Sequence, residues 1–143
     1  ADVPTPKAIP LLTVDGTTPV RSFELSEDHD APNGPLYAIN GESWPFNTAM
    51  SGFLDEVEVW EIHNDAKGDH PFHLHGTFFQ VIDRDGAPEA HRGLKDTISV
   101  PGGSTVRLAV EYEEPGSWMF HCQIPEHAER GMMGEIMVSD PFP

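Results

Sequence analysis

The sequence predicts an all-β sandwich with Greek-key connections, and three features carry that reading. Short runs rich in β-branched and aromatic residues recur along the chain, roughly seven or eight of them, bounded by turns containing Gly or Pro. One run, Thr105 to Tyr112, alternates cleanly: Val106, Leu108, Val110 and Tyr112 on one face, Thr105, Arg107 and Glu111 on the other. Helical periodicity is almost absent. Two sheets packed face to face are then the way to bury the apolar positions.

Residues 1–10, ADVPTPKAIP, are proline-rich and read as a linker or an edge strand. Leu11 to Val14 reads as a short strand ended by Asp15-Gly16, and Arg21 to Leu25 as the next. Ser26 to Pro35, SEDHDAPNGP, is polar and turn-rich and reads as a loop with a solvated His29. Leu36 to Ile39 is a strand leading into an Asn40-Gly41 turn. Trp44 and Phe46, on either side of Pro45, are expected to cap the core. Glu56 to Asn64 reads as a strand ending near a structural His63, and Asp65 to Asp69 as the loop that delivers His70. Phe72 to Ile82 is apolar on both faces, as a strand buried between two layers would be. Asp83 to Ala87 turns, Thr97 to Val100 returns, and Pro101-Gly102-Gly103 turns again. Beyond Tyr112 come a turn at Glu113 to Gly116, a strand at Ser117 to His121, one helical turn within Pro125 to Arg130, and a closing strand at Met133 to Val138.

At 143 residues the chain is expected to form one domain, 1–143, with a core large enough to need no staples. A formal net charge of −16 and a pI near 4.6 argue against nucleic acid and against anionic membrane surfaces as partners. No apolar run approaches the roughly 20 residues of a membrane span. No basic segment with an apolar core opens the sequence, so any signal peptide is expected to have been removed or never present. The single cysteine, Cys122, excludes an internal disulfide.

The chemistry concentrates at residues 121–133, HCQIPEHAERGMM. A thiolate at Cys122, an imidazole at His127 and a thioether at Met132, in that order, point to a type 1 (blue) copper site. Met132 suits the axial position by spacing; Met133 then points into the core, and Met50, Met119 and Met137 are read as packing. Such a site needs a second imidazole, and HPFHLHG at 70–76 offers His70, His73 and His75. On a strand, His73 and His75 share one face while His70 falls on the other, free to join Cys122. By the same alternation His121 and Gln123 leave on the face opposite the thiolate. Zinc competes for such a set, though structural zinc sites usually carry more than one thiolate. A cysteine–histidine nucleophile is disfavoured because no oxyanion-hole motif accompanies the pair. For His73 and His75 the plain alternative is an exposed histidine pair that picks up metal adventitiously.

The two motifs, with His91-Arg92-Gly93-Leu94-Lys95-Asp96-Thr97 between them, resemble the third, C-terminal domain of the multicopper oxidases, the laccase and copper-efflux oxidase family. The resemblance covers about Ile9 to Val138. It implies a cupredoxin-like Greek-key β-sandwich with copper as cofactor. It implies that His70, Cys122, His127 and Met132 bind type 1 copper, and that His73, His75 and His121 contribute to a separate three-copper cluster. The family's histidine after the cysteine is Gln123 here, so that contribution is one imidazole short. The implied function is single-electron transfer from a donor, small molecule or protein, near His70 or His127. No catalytic side chain beyond the metal ligands is expected, and the isolated chain is expected to transfer electrons only. Two alternatives stand beside it. One is a laccase-like oxidase whose cluster is completed by other multicopper oxidase domains or by self-association. The other is a copper-storage or structural module. The expected location is periplasmic or secreted.

Overall fold

Alternate apolar side chains from two sets of strands face one another across a shared core, so the chain folds as two packed β-sheets. The computed structural model describes residues 3, 4 and 7–142. In chain order the strands are β1 (Val20–Asp28), β2 (Leu36–Ile39), β3 (Met50–Phe53), β4 (Val57–Asn64), β5 (His70–Leu74) and β6 (Phe79–Arg84). They continue with β7 (Ala87–Pro88), β8 (Leu94–Lys95), β9 (Thr97–Val100), β10 (Thr105–Glu111), β11 (Gly116–Cys122) and β12 (Met133–Ser139). Helix α1 (Pro125–Glu129) lies between β11 and β12. One sheet runs β2-β1-β4-β10-β6-β7 with β8 also on β6; the other runs β3-β12-β11-β5-β9. The β1–β4 and β3–β12 pairs are parallel, while β4–β10, β11–β12 and β5–β11 are antiparallel. Consecutive strands repeatedly change sheet, as a Greek-key sandwich requires.

Four aromatic rings join the sheets. Phe23 on β1 and Trp60 on β4 meet Phe72 on β5 and Phe120 on β11, and all four are buried to 1% exposure or less. Centroid separations run from 4.6 Å for Phe23–Trp60 through 5.2 Å for Phe23–Phe120 to 6.3 Å for Trp60–Phe72, in tilted and edge-on geometries. Such pairs add about 0.5–1.5 kcal/mol each beyond their area. The cluster therefore fixes β5 and β11, the two strands that carry the metal-ligand motifs, against the first sheet.

Most expected strands are present, and the departures have physical causes. Leu36–Ile39 and Thr97–Val100 match their expected limits, and Val106, Leu108, Val110 and Tyr112 are all buried. Arg107 on the opposite face is only half exposed, because its guanidinium pairs with Asp83 at 3.0 Å. Of the linker or edge strand expected at 1–10, positions 1, 2, 5 and 6 lie outside the described residues, and the described ones form no strand. Leu11 to Val14 is not a strand either. The fully buried amide of Gln80 takes the place of a ladder: Leu12 N–H donates to its Oε1 (2.8 Å) and its Nε2 donates to the Pro10 carbonyl (2.7 Å). Phe72 to Ile82 is not one strand but β5 and β6, in different sheets. The chain leaves the second sheet at Gly76, whose φ of 85° is left-handed and where a Cβ would collide with the Trp118 ring. Its apolar residues face one core from both sides in turn, which periodicity alone does not separate from a doubly buried strand. Asp83 belongs to β6, and the turn is confined to Asp85-Gly86, both at positive φ.

The strand expected at Arg21 to Leu25 continues to Asp28, which shortens the expected loop. Met50–Phe53 forms β3 without a sequence signal. Phe46 does not cap the core; it is 86% exposed beside a half-buried Trp44. Met133 is half-buried rather than core, and Met137 is exposed, because β12 alternates with Gly134, Ile136 and Val138 inward.

A buried carboxylate closes one end of the sandwich. Glu58 accepts from Arg21 through both oxygens (2.9 Å each), from the Tyr112 hydroxyl (2.6 Å) and from Trp60 Nε1 (3.2 Å). Arg21 also donates to the Ser51 carbonyl on β3, tying the sheets together. Burial raises the Glu58 pKa, but the Arg21 and Tyr112 hydrogen bonds outweigh it and hold the group below its usual value. Burial and the adjacent carboxylate push the Tyr112 phenol well above its own. A lowered folded pKa means stability present above the unfolded carboxylate value near ~4.3 and lost as pH falls through the folded one. Glu58→Gln is expected to cost roughly 3 kcal/mol at neutral pH in urea unfolding. Its deficit against the unsubstituted chain should shrink as pH is lowered below about 4; a deficit independent of pH would contradict this account.

Candidate metal centre

Register sorts the donors. Strands β5 and β11 pair with Phe120 opposite Leu74, His121 opposite His73 and Cys122 opposite Phe72. Side chains alternate along a strand, so Cys122 turns inward with Phe72 and Leu74, while His73 and His121 turn outward. His70, three residues before His73, has the inward parity and is fully buried. The division anticipated from strand period between His70 and the His73/His75 pair is present.

The inner set is Cys122, His70 and His127. Cys122 Sγ lies 3.5 Å from His70 Nδ1 and 3.6 Å from His127 Nδ1, and the two nitrogens are 3.1 Å apart. Each arm has a local cause. The loop before His70 is organised by buried Asn64, whose Nδ2 donates to the Gly68 and Val100 carbonyls at 2.8 Å each. His127 rides on α1, which starts at Pro125, where a missing N–H costs nothing. After the helix the chain is bonded back on itself: Met132 N–H donates to the His127 carbonyl and Cys122 N–H to the Met132 carbonyl, both at 3.0 Å. Met132 is thereby held fully buried in the loop that follows Cys122 and His127.

This donor set fits a single soft ion. Three donors about 2.0–2.3 Å from a central ion and spread in a plane stand roughly 3.5–3.7 Å from one another, close to the separations observed. One thiolate, two imidazoles and a thioether match copper better than hard, oxygen-seeking ions. Burial pushes the His70 imidazole below its usual pKa against the opposing pull of Glu27. Burial raises the Cys122 thiol, reinforced by the Glu27 charge and opposed by a backbone hydrogen bond from Ile124; a bound cation reverses that balance.

Two neighbours of this set carried no motif. Tyr37 stacks on His127 with centroids 4.1 Å apart and an interplanar angle of 18°. Glu27 places Oε1 2.8 Å from His70 Nε2 and Oε2 2.6 Å from His29 Nε2. His29 is exposed, as expected, but it is tethered rather than free. Phe23, Leu25 and Glu27 share one parity, so extending β1 by a few residues is the signal that would have aimed this carboxylate inward.

The outer set is His73, His75 and His121, whose ligand nitrogens lie within 4.8 Å of one another. His73 Nδ1 is 2.9 Å from the Asp96 carbonyl and 3.0 Å from Thr97 Oγ1, and His121 Nδ1 is 2.8 Å from the Cys122 carbonyl. A carbonyl only accepts, so both rings carry their proton on Nδ1 and present Nε2 as a donor atom. His75 Nε2 lies 3.0 Å from His121 Nε2. Burial, then the neighbouring His73 and His121, hold His75 below its usual pKa. Gln123, just past the end of β11, is exposed, and its backbone N–H donates to the Pro71 carbonyl at 2.7 Å. An amide does not replace an imidazole toward copper, and three nitrogens do not surround a cluster of several ions.

Residues 5–141 match the family described as multicopper oxidase. The chain belongs to the multicopper oxidase family. It is 44% identical over 109 residues to the multicopper oxidase mco of Staphylococcus epidermidis, covering 71% of this chain and 24% of that protein. A laccase of Bacillus subtilis is 29% identical over 143 residues, covering 85% and 28%. Among solved structures, a multicopper oxidase from Pediococcus acidilactici superposes with a TM-score of 0.82 at 35% identity, over 95% of this chain and 29% of that one. The chain thus spans about a quarter of the length of these relatives. Fold and sequence together make it a cupredoxin-like domain of the multicopper oxidase family.

Proposed function

We propose that this chain is the type 1 copper domain of a multicopper oxidase, binding one copper through His70, Cys122, His127 and Met132 and relaying single electrons from an external donor. The observation that supports this most is the convergence of Cys122 Sγ and the Nδ1 atoms of His70 and His127 to within 3.6 Å of one another. Copper held there supplies one-electron redox chemistry. The protein's part is to keep the four donors in place in a dry pocket. His70, Cys122 and Met132 are buried, while His127 is half exposed, so the donor is assigned to the His127 side. Cys122 belongs to the apolar core, and that setting together with the Met132 thioether would tune a copper held there. On the same proposal the chain works in the periplasm or outside the cell.

A second reading has its own support. The Nε2 atoms of the outer histidines converge at the surface, where another domain or another copy of the chain could add imidazoles. Reducing dioxygen to water takes several electrons, and the inner set stores one at a time. By itself the chain is assigned electron exchange and no oxygen turnover.

Cys122→Ser is expected to abolish the thiolate-to-copper visible band while circular dichroism stays that of the folded sandwich; a variant that remains blue removes the assignment. Met132→Leu should remain blue with a higher reduction potential, since the variant loses the electron donation of the thioether. The same shift from Met133→Leu instead would transfer the axial role to Met133. Oxygen uptake with a phenolic donor should be absent at every chain concentration, with one copper per chain. Uptake that grows as chains associate and falls in His73→Ala would establish the oxidase reading.

A further inference from the structure

The carboxylate behind His70 is the feature that the proposed function leaves unused. Glu27 is the third core-facing residue of β1 after Phe23 and Leu25, and its side chain is 16% exposed. Both of its oxygens meet imidazoles. Oε2 is held by exposed His29 Nε2 at 2.6 Å, and Oε1 lies 2.8 Å from fully buried His70 Nε2. That nitrogen has no directed hydrogen bond among the described residues, so the carboxylate stands close but off the N–H axis. A buried N–H without an acceptor is destabilising. Glu27 Oε1 is the acceptor within reach.

We infer that Glu27 is a positioning residue for His70: its carboxylate keeps the proton on Nε2, turns Nδ1 toward Cys122, and lends negative charge that favours the more highly charged state of the metal centre. This inference rests on the copper assignment of the preceding section. The chemistry is that of a ligand histidine whose second nitrogen is backed by a carboxylate, an arrangement that fixes the tautomer and raises the ring's basicity. Two further observations make Glu27 more than a passing contact. His29 pins the second oxygen, so the carboxylate does not rotate freely to solvent. Tyr37 fills the space among the rings, with its centroid 4.1 Å from His127, 6.5 Å from His70 and 6.2 Å from His29. His70, Glu27 and His29 thus form a chain from the buried donor set to the surface. Asp69, the other acid near His70, is exposed and follows from the loop rather than from β1.

A structural role and a positioning role separate cleanly in measurement. Glu27→Gln keeps the size and the acceptor oxygen but removes the charge, and Glu27→Ala removes both. The full chain is loaded with Cu(II) alone, and Cu(II) affinity, Cu(I) affinity, visible spectrum and reduction potential are recorded. Expected for Glu27→Gln is a Cu(II) affinity lower by about tenfold or more, with Cu(I) affinity affected less. The potential then rises by about 59 mV for each tenfold difference between the two losses. Glu27→Ala should shift the potential at least as far and broaden the visible band as His70 loses its orientation. If both variants bind Cu(II) and Cu(I) with equal losses and unchanged potential, Glu27 only packs, and the inference is overturned with the copper assignment intact. If the unsubstituted chain itself gives no thiolate-to-copper band, the copper assignment fails, and the role of Glu27 falls with it.

Discussion

Everything at the candidate metal centre hangs on the antiparallel pairing of β5 with β11. Only three residue pairs define it, yet they place Cys122 beside Phe72 and His121 beside His73. A shift of one residue would exchange the faces of every side chain involved. The thiolate would then point outward and His121 into an aromatic core with no partner for its ring nitrogens. The register is held by burial: Phe72 and Leu74 on one strand and Phe120 on the other belong to the core, and their displacement would expose large apolar surface.

That core also anchors the strands that carry the inner donor set. The Phe23, Trp60, Phe72 and Phe120 rings span both sheets, so the strand carrying His70 and the strand carrying Cys122 are clamped to the same aromatic block. His127 and Met132 lack strand geometry and rely on other devices. Backbone bonds among His127, Met132 and Cys122 close their loop, and the Tyr37 ring from the opposite sheet lies flat on His127. Donors built on strands are set by register, and donors built on a loop by hydrogen bonds and stacking. The proposed copper site needs both.

Much of this is legible in the amino-acid sequence. Strand limits around Thr105, Thr97 and Leu36 follow from alternation and turn residues, and the two histidine faces follow from a period of two. The donor set could be read because Cys122 is the only thiol and its companions lie a short loop away. What escaped was long-range. No local signal says that Gln80 holds the segment near Leu12 in place of a ladder, or that Gly76 moves the chain between sheets. Glu27 escaped because its stretch is acidic and turn-like, while its pairing with Tyr37 on β2 keeps the strand going. A carboxylate in SEDHD looks like one more solvated charge until its strand parity is known.

The alternation of β11 also bears on how such a chain tolerates change. Cys122 and His121 are adjacent in sequence but serve opposite sides of the sheet. Point replacements on the outer side, as at His121, therefore leave the inward-facing side chains in place. Insertions and deletions have no such licence, since adding a single residue before Cys122 reverses both sides together. The outer face can thus change residue by residue while the inner one is kept, provided the alternation of the strand is preserved.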